Sequence, residues 1–233
     1  EKEVITRVVG GMAAACRAQD CSLTGGETSE QPGVVPAGTY ILTASIVGVG
    51  EKSQIIDGTK IRAGDQVLAV ASNGLHTNGY TLVRALLEAQ PDLAELDVEG
   101  ERFLDVILRP HLCYYRAVRD LYTGAFLHGM AHITGGGVRD NLSRVLPADL
   151  DAHIDLGAFE IPAVFRALHQ RGQLDPADML RTFNMGVGLA LVVDAASAEQ
   201  TIQHLAAHNC HAYPIGEISA GEKKVHYSGK LKL

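Results

Sequence analysis

Gln66-Val67-Leu68-Ala69-Val70-Ala71 runs into Ser72-Asn73-Gly74-Leu75-His76-Thr77-Asn78-Gly79, and that loop runs into Tyr80-Thr81-Leu82-Val83-Arg84-Ala85-Leu86-Leu87-Glu88-Ala89. The first six residues read as a short apolar strand. Thr77 or Asn78 can cap a helix from about Gly79 to Ala89, where Leu82, Val83, Leu86 and Leu87 form one apolar stripe and Pro91 ends the run. Strand, glycine-bearing loop and helix form the unit that the rest of the chain varies.

Working outward, Met130 to Thr134 reads as a buried strand, and Gly135-Gly136-Gly137 leads into a helix reaching about Val145, before Pro147. Helical stretches are expected around Glu101 to Leu108 and His111 to Tyr122, and Ile161, Val164, Phe165 and Leu168 mark another. Met185 to Val193 is a strand, Ala198 to Ala207 a helix, and His211 to Ile218 and Lys223 to Tyr227 are closing strands. This order predicts an α+β fold: an α/β sandwich with helices packed on a mainly antiparallel or mixed sheet.

The upstream part has a different character. Val4, Ile5, Val8, Val9, Met12, Ala13 and Cys16 give residues 3 to 18 the spacing of an amphipathic helix. Thr39 to Val49, rich in Thr, Ile, Val and Tyr, is expected to be a strand buried on both faces or at a subunit contact. The charged, glycine-containing stretch from Glu51 to Asp65 reads as turn, strand and turn, and puts a domain boundary near residue 52, dividing 1–52 from 53–233.

With 233 residues, 46% hydrophobic and 20% charged, the chain can bury a sizeable core. A net charge of -7, with no Lys/Arg cluster beyond Lys223-Lys224 and Lys230-Leu231-Lys232, argues against nucleic-acid binding. No apolar run approaches the roughly 18 residues of a membrane span. The start, Glu1-Lys2-Glu3-Val4, lacks a signal-peptide pattern, so a cytoplasmic location is expected. Cys16, Cys21, Cys113 and Cys210 have no zinc-finger spacing and read as buried free thiols.

Four glycine-bearing segments carry the candidate chemistry: Thr24-Gly25-Gly26-Glu27-Thr28-Ser29-Glu30-Gln31-Pro32-Gly33, the loop from Ser72 to Gly79, His132-Ile133-Thr134-Gly135-Gly136-Gly137, and Arg181-Thr182-Phe183-Asn184-Met185-Gly186-Val187-Gly188. Glycines let backbone amides approach an anion, and the hydroxyl, amide and imidazole groups among them can orient it. Glu27 and Glu30 can hold a magnesium ion bridging nucleotide phosphates, or simply face solvent on a turn; spacing slightly favours the second. His76 can bind phosphate or donate a proton, or can be a loop histidine bonded to a carbonyl. Thr134 to Gly137 has the layout of a phosphate cradle, or of tight strand-to-helix packing, and lacks P-loop and dinucleotide spacing. Asn184 can read a ligand or end a turn. The remaining histidines show no ligand spacing and read as structural or exposed. No nucleophile elbow is present, so the four loops fit phosphoryl transfer by positioning and electrostatics.

GGETSEQPG, SNGLHTNGYTLVR, AHITGGGVRDNLSRVLP and RTFNMGVG, in this order, resemble the phosphoribosylformylglycinamidine cyclo-ligase (aminoimidazole ribonucleotide synthetase) family from about residue 7 to residue 218. The resemblance implies a purine-biosynthesis ligase that uses ATP and magnesium to close an imidazole ring on a phosphorylated small molecule. It also implies a homodimer built on an N-terminal barrel-forming domain, and a C-terminal α+β domain that binds substrate. Residues 1–52 would be the last helix and strand of that N-terminal, ATP-binding domain. By position, Gly25, Gly26, Glu27, Thr28 and Glu30 would meet the nucleotide, with Glu27 on the metal. His76 and Asn78 would be catalytic; Gly79, Thr134, Gly135, Gly136, Gly137, Asn184 and Gly186 would line the substrate side.

The family carries roughly another third of chain upstream, with an Asp-Gly-Val-Gly-Thr-Lys loop. Ile56-Asp57-Gly58-Thr59-Lys60 resembles that loop but aligns with the interdomain segment. Ser29 and Gln31 stand where alanine and methionine are usual, and Pro110-His111-Leu112-Cys113-Tyr114 stands where Pro-Thr-Arg-Ile-Tyr is typical. Alternative expectations are a partner-dependent phosphate-binding or dimerisation module, or a related kinase acting on a small molecule.

Overall fold

A strand interior to a sheet must give every backbone N–H and C=O a partner on both sides. In the computed structural model, which describes residues 1–233, the chain divides into two units, Glu1–Lys52 and Ser53–Leu233. Only the second unit meets that requirement. In chain order its elements are β1 (Gln66–Ala71), α2 (Tyr80–Ala89), the two-residue strands β2 (Asp97–Val98) and β3 (Glu101–Arg102), α3 (Phe103–Ile107), α4 (Tyr115–Val118), β4 (Leu127–His132), α5 (Gly137–Val145), β5 (Leu150–Asp155), α6 (Ala163–Gly172), α7 (Pro176–Thr182), β6 (Val187–Val193), α8 (Ala198–Ala207), β7 (Ala212–Ala220) and β8 (Val225–Ser228); α1 (Lys2–Ala18) belongs to the first unit.

Six strands form one mixed sheet in the order β4-β6-β1-β7-β5-β8. All neighbours are antiparallel except β5 and β8. Ala69 pairs with Ala190 of β6 and Tyr213 of β7, while Ala131 of β4 pairs with Ala190 from the other side. The central strands are buried on both faces, which is why their sequences are nearly continuous in apolar residues. Val67, Ala69, Ala190 and Val192 join a core with Val83, Phe103, Leu142, Phe165 and Leu168 from α2, α3, α5 and α6. Leu68, Val70, Leu189, Leu191 and Val193 join a second core with Ala117 and Val118 of α4 and Ala198 and Leu205 of α8. Each fully buried Val, Leu or Phe contributes roughly 1.5–3 kcal/mol. The expected sandwich of helices on a mixed sheet is therefore what forms.

The topology also places the loops. Both β1 and β4 run antiparallel to β6, which lies between them. The C-terminal ends of β1 and β4 and the N-terminal end of β6 thus share one end of the sheet.

Several expectations need correction. Thr39 to Val49 forms no strand: Ile46 and Val47 are 85% and 91% exposed. Beyond a bond from the Thr39 N–H to the Pro36 carbonyl, the segment has no backbone partner, and composition alone cannot supply the ladder. Residues 51–65 contain a short 3-10 turn at Lys52–Gln54 but no strand. The helix expected from His111 to Tyr122 shrinks to α4 and a following 3-10 turn. Of the four free cysteines only Cys210 is buried. Helix α7, unanticipated, is capped by Asp175, whose carboxylate accepts the Ala177 N–H at 2.7 Å, with Pro176 as its first residue. No helix is long and apolar enough to cross a membrane. In the first unit, α1 forms as expected but buries none of its residues.

Candidate functional site

The loop from Ser72 to Gly79 is held to the start of β6 by one side chain. Asn184 Nδ2 donates to the carbonyls of Gly74 (2.9 Å) and Leu75 (3.2 Å), and its Oδ1 accepts the Gly186 N–H (2.9 Å) and faces the Ser72 hydroxyl (2.9 Å). The Ser72 N–H also donates to the Gly186 carbonyl at 2.8 Å. Asn184 is buried and both its polar atoms are fully used, so it fixes the loop rather than reaching out to a ligand. Gly79 and Gly186 have φ of +83° and +95°, and a Cβ on Gly79 would run into the Phe183 ring.

This bracket presents His76. The residue is buried, its φ is +59°, and neither ring nitrogen has a hydrogen-bond partner. Its ring stacks on His111, with centroids 3.7 Å apart and planes 29° apart; His111 Nε2 is 3.2 Å from Nε2 of His132, the last residue of β4. Tyr114 stands edge-on to His76 and donates its hydroxyl to the Ala71 carbonyl at 2.8 Å. Burial first, then the neighbouring His111 and His132, holds the pKa of His76 down to about 4, so it is neutral at pH 7. Burial and His111 also lower that of His132. Burial raises the Tyr114 hydroxyl. Gly188 is what admits this packing: a Cβ there would strike the Tyr114 hydroxyl and sit 3.1 Å from His76 Cε1.

Gly136 and Gly137, with φ of +91° and +64°, do packing work. A Cβ on Gly137 would strike the Leu180 carbonyl. The Gly136 N–H donates to the Arg181 carbonyl (2.9 Å), the Gly137 N–H to the Thr134 carbonyl (3.0 Å), and the Arg139 N–H to the Tyr227 hydroxyl (2.9 Å). Asn141 takes the Thr134 hydroxyl at 3.0 Å and donates to the Gly137 carbonyl at 2.8 Å. Of the triplet, Gly135 faces the other loop: a Cβ on it would be 3.9 Å from Asn78 Oδ1. The Arg139 guanidinium lies 4.4 Å above the Tyr227 ring at the same helix start.

One end of the sheet thus gathers His76, Asn78, Gly79, Thr134, Gly135, Gly136, Gly137, Asn184 and Gly186. Gly25, Gly26, Glu27, Thr28 and Glu30 lie in the first unit, exposed and outside any helix or strand. Glu27 and Glu30 gather no third carboxylate or histidine, and nothing lies within 4 Å of a Cβ on Gly25 or Gly26. By themselves these residues do not build a magnesium site or a phosphate cradle. Sequence reading missed His111, which it treated as structural or exposed; the departure at residues 110–114 was the signal available. A groove of about 300 Å3 lined by Leu96, Asp97, Glu99, Ala163 and Arg166 contains none of the anticipated residues.

The opposite end of the same strands is fully paired. Asp65, just before β1, is 1% exposed, and its Oδ2 meets His128 Nδ1 at 2.6 Å and the Arg62 N–H at 2.9 Å. Arg62 also pairs with Asp194, just after β6.

A three-layer sandwich whose sheet end gathers glycine loops around a buried imidazole defines the class, and the chain belongs to the family described as AIR synthase related protein, C-terminal domain, whose model matches residues 62–228. Among curated relatives, the phosphoribosylformylglycinamidine cyclo-ligase of Carboxydothermus hydrogenoformans is 43% identical over 226 residues, covering 96% of this chain and 66% of that protein. The protein of the same name from Sorangium cellulosum is 44% identical over 216 residues, covering 91% and 62%. The chain therefore spans a little under two thirds of the length of these relatives. Among solved structures, thiamine-monophosphate kinase from Stenotrophomonas maltophilia K279a shares the fold at a TM-score of 0.54 and 20% identity, covering 77% of this chain and 54% of that one. HypE of E. coli does so at 0.51 and 21%, covering 74% and 48%.

Proposed function

We propose that the chain carries the substrate-side domain of a purine-biosynthesis ligase, a phosphoribosylformylglycinamidine cyclo-ligase. In that reaction ATP phosphorylates the formyl amide oxygen of formylglycinamidine ribonucleotide. The substrate's own amidine nitrogen then attacks the activated carbon, the C–O bond to phosphate breaks, and the imidazole ring closes as ADP and phosphate are released. The observation that carries this reading is the meeting of three glycine loops around the unpaired imidazole of His76, in a chain whose curated relatives share that activity's name. ATP use is supported further by a HypE structure described in complex with ATP, which shares the fold at a TM-score of 0.50 and 20% identity.

In this proposal the labour is divided. Asn184 and the glycines hold the loop; His76 and Asn78 face the substrate; Gly135 and the Arg139 side chain receive its phosphate. A group protonated only near pH 4 is a weak base at pH 7, so His76 serves better by orienting the reacting amide than by moving its proton. Residues 1–52 belong, in this proposal, to the ATP-binding, dimer-forming domain, and Thr39 to Val49 finds its strand partners in a homodimer. Glu27 belongs on the nucleotide and metal side only when further ligands join it.

The test is ADP release with and without formylglycinamidine ribonucleotide. We expect substrate-dependent ADP from this chain to be weak or absent, because charge on the transferring phosphoryl group is left without a metal site. Substrate-independent ADP would identify a kinase instead. In a full-length protein carrying this domain, His76→Ala is expected to lower turnover; full turnover in that variant would remove His76 from the reaction.

A further inference from the structure

We propose that His76, His111 and His132 form a binding site for a divalent transition-metal ion of the zinc and cobalt class. One nitrogen from each ring lies within 4.8 Å of the others, and the rings come from three places: the loop after β1, the segment before α4 and the end of β4. His111 Nδ1 sits 2.7 Å from the Leu112 carbonyl, an acceptor only, so that nitrogen carries the proton and Nε2 presents a lone pair. A backbone carbonyl on the far nitrogen is the usual way a metal-binding imidazole is oriented. The lone pair points at His132 Nε2, 3.2 Å away. Tetrahedral zinc with Zn–N bonds of about 2.0–2.1 Å sets ligand nitrogens roughly 3.3 Å apart, close to that spacing.

A hydrogen bond from His132 to His111 would also account for this pair, but it leaves His76 unexplained. Both nitrogens of His76 are shielded from solvent with no partner, a condition native structures rarely tolerate without a ligand or a role. A His76 nitrogen already lies within 4.8 Å of the other two ligand nitrogens. The set is three imidazoles with no carboxylate, which selects zinc, cobalt or copper over magnesium and calcium. Three protein ligands leave a fourth position for water or an oxygen of a bound molecule. The site needs nothing from the cyclo-ligase reading, and metal binding is read without turnover.

The experiment is a Co2+ titration of the 233-residue chain, stripped with chelator, followed by visible absorption. We expect the ligand-field bands of four-coordinate cobalt, displaced by Zn2+ and insensitive to excess Mg2+. His111→Phe keeps a ring against His76 and removes its nitrogens; it should weaken binding by about 100-fold or more. Should that variant misfold by circular dichroism, His132→Gln, at an exposed strand end, reports the same loss. His208→Phe disrupts the separate Asp120, His204 and His208 group and should change nothing. Absence of four-coordinate bands, bands undiminished in both His111→Phe and His132→Gln, or bands lost in His208→Phe would overturn the proposal.

Discussion

The two ends of β1, β4 and β6 present the same ingredients with opposite outcomes. At one end Asp65, His128, Arg62 and Asp194 are joined in short hydrogen bonds and ion pairs, and buried Asp65 is satisfied from backbone and side chain together. At the other, His76 is as buried as His128 and has no hydrogen-bond partner. A buried polar group that is paired contributes to folding; one left unpaired costs roughly 1–3 kcal/mol and persists where a ligand completes it. The contrast assigns stability to the first end, and it is at the second that we propose the function lies.

The sharpest way to break this contrast is to truncate one member of each end. Asp65→Ala leaves buried His128 and the part-buried Arg62 N–H unpaired, and about 3–5 kcal/mol of unfolding free energy should be lost. His76→Phe keeps an aromatic ring and removes two nitrogens that have no hydrogen bonds to lose, so it should cost clearly less than Asp65→Ala. Urea unfolding of the two variants decides the matter. Equal losses would mean that His76 is a structural residue and that the ends do not differ.

Gly188 lies at the His76 end of β6, and its substitution sharpens the contrast by moving that end alone. An alanine Cβ there displaces the Tyr114 hydroxyl from the Ala71 carbonyl and presses on His76, for a cost of about 1–3 kcal/mol. Adding Tyr114→Phe removes the obstructing oxygen, so the double variant should lose less than the sum of the singles. Additive losses by thermal unfolding would show that the clash is relieved elsewhere.

Much of this was legible in the residues. The apolar run of β6 and the stripe of α2 identified themselves, because burial on two faces or one leaves a direct mark on composition. Thr39 to Val49 carries a similar composition and forms no strand, since the ladder depends on partners that composition does not report. The alternation Leu150-Asp151-Ala152-His153-Ile154-Asp155 was passed over, yet it is β5. Glycine loops marked the functional end, but only strand order shows that three of them meet. Asn184 looked like a ligand reader, and its full set of internal bonds could be seen only in three dimensions. His111 lacked any local signal of spacing, being joined to His76 and His132 across 35 and 21 residues of sequence.

The smallest expected effect concerns a second satisfied carboxylate, on β5 beside the edge strand β8. Asp151 Oδ1 accepts the N–H groups of Glu222 and Lys224 at 2.7 Å each, and Oδ2 lies 2.7 Å from His226 Nε2. The Lys224 N–H above all, with His226 and the Glu222 N–H, draws its pKa down to about 2. The unfolded chain protonates an aspartate near pH 3.9, so between these values the unfolded state binds more protons than the folded one. The stability Asp151 contributes is therefore present above about pH 4 and is lost as pH falls through about 2. Asp151→Asn should melt lower than the parent by a constant margin from pH 8 to pH 5, and the two melting curves should converge near pH 2. If the gap survives at that pH, the charge on Asp151 is not what the edge depends on. Pairing would then not be the property that separates the stable parts of the sheet from the His76 end.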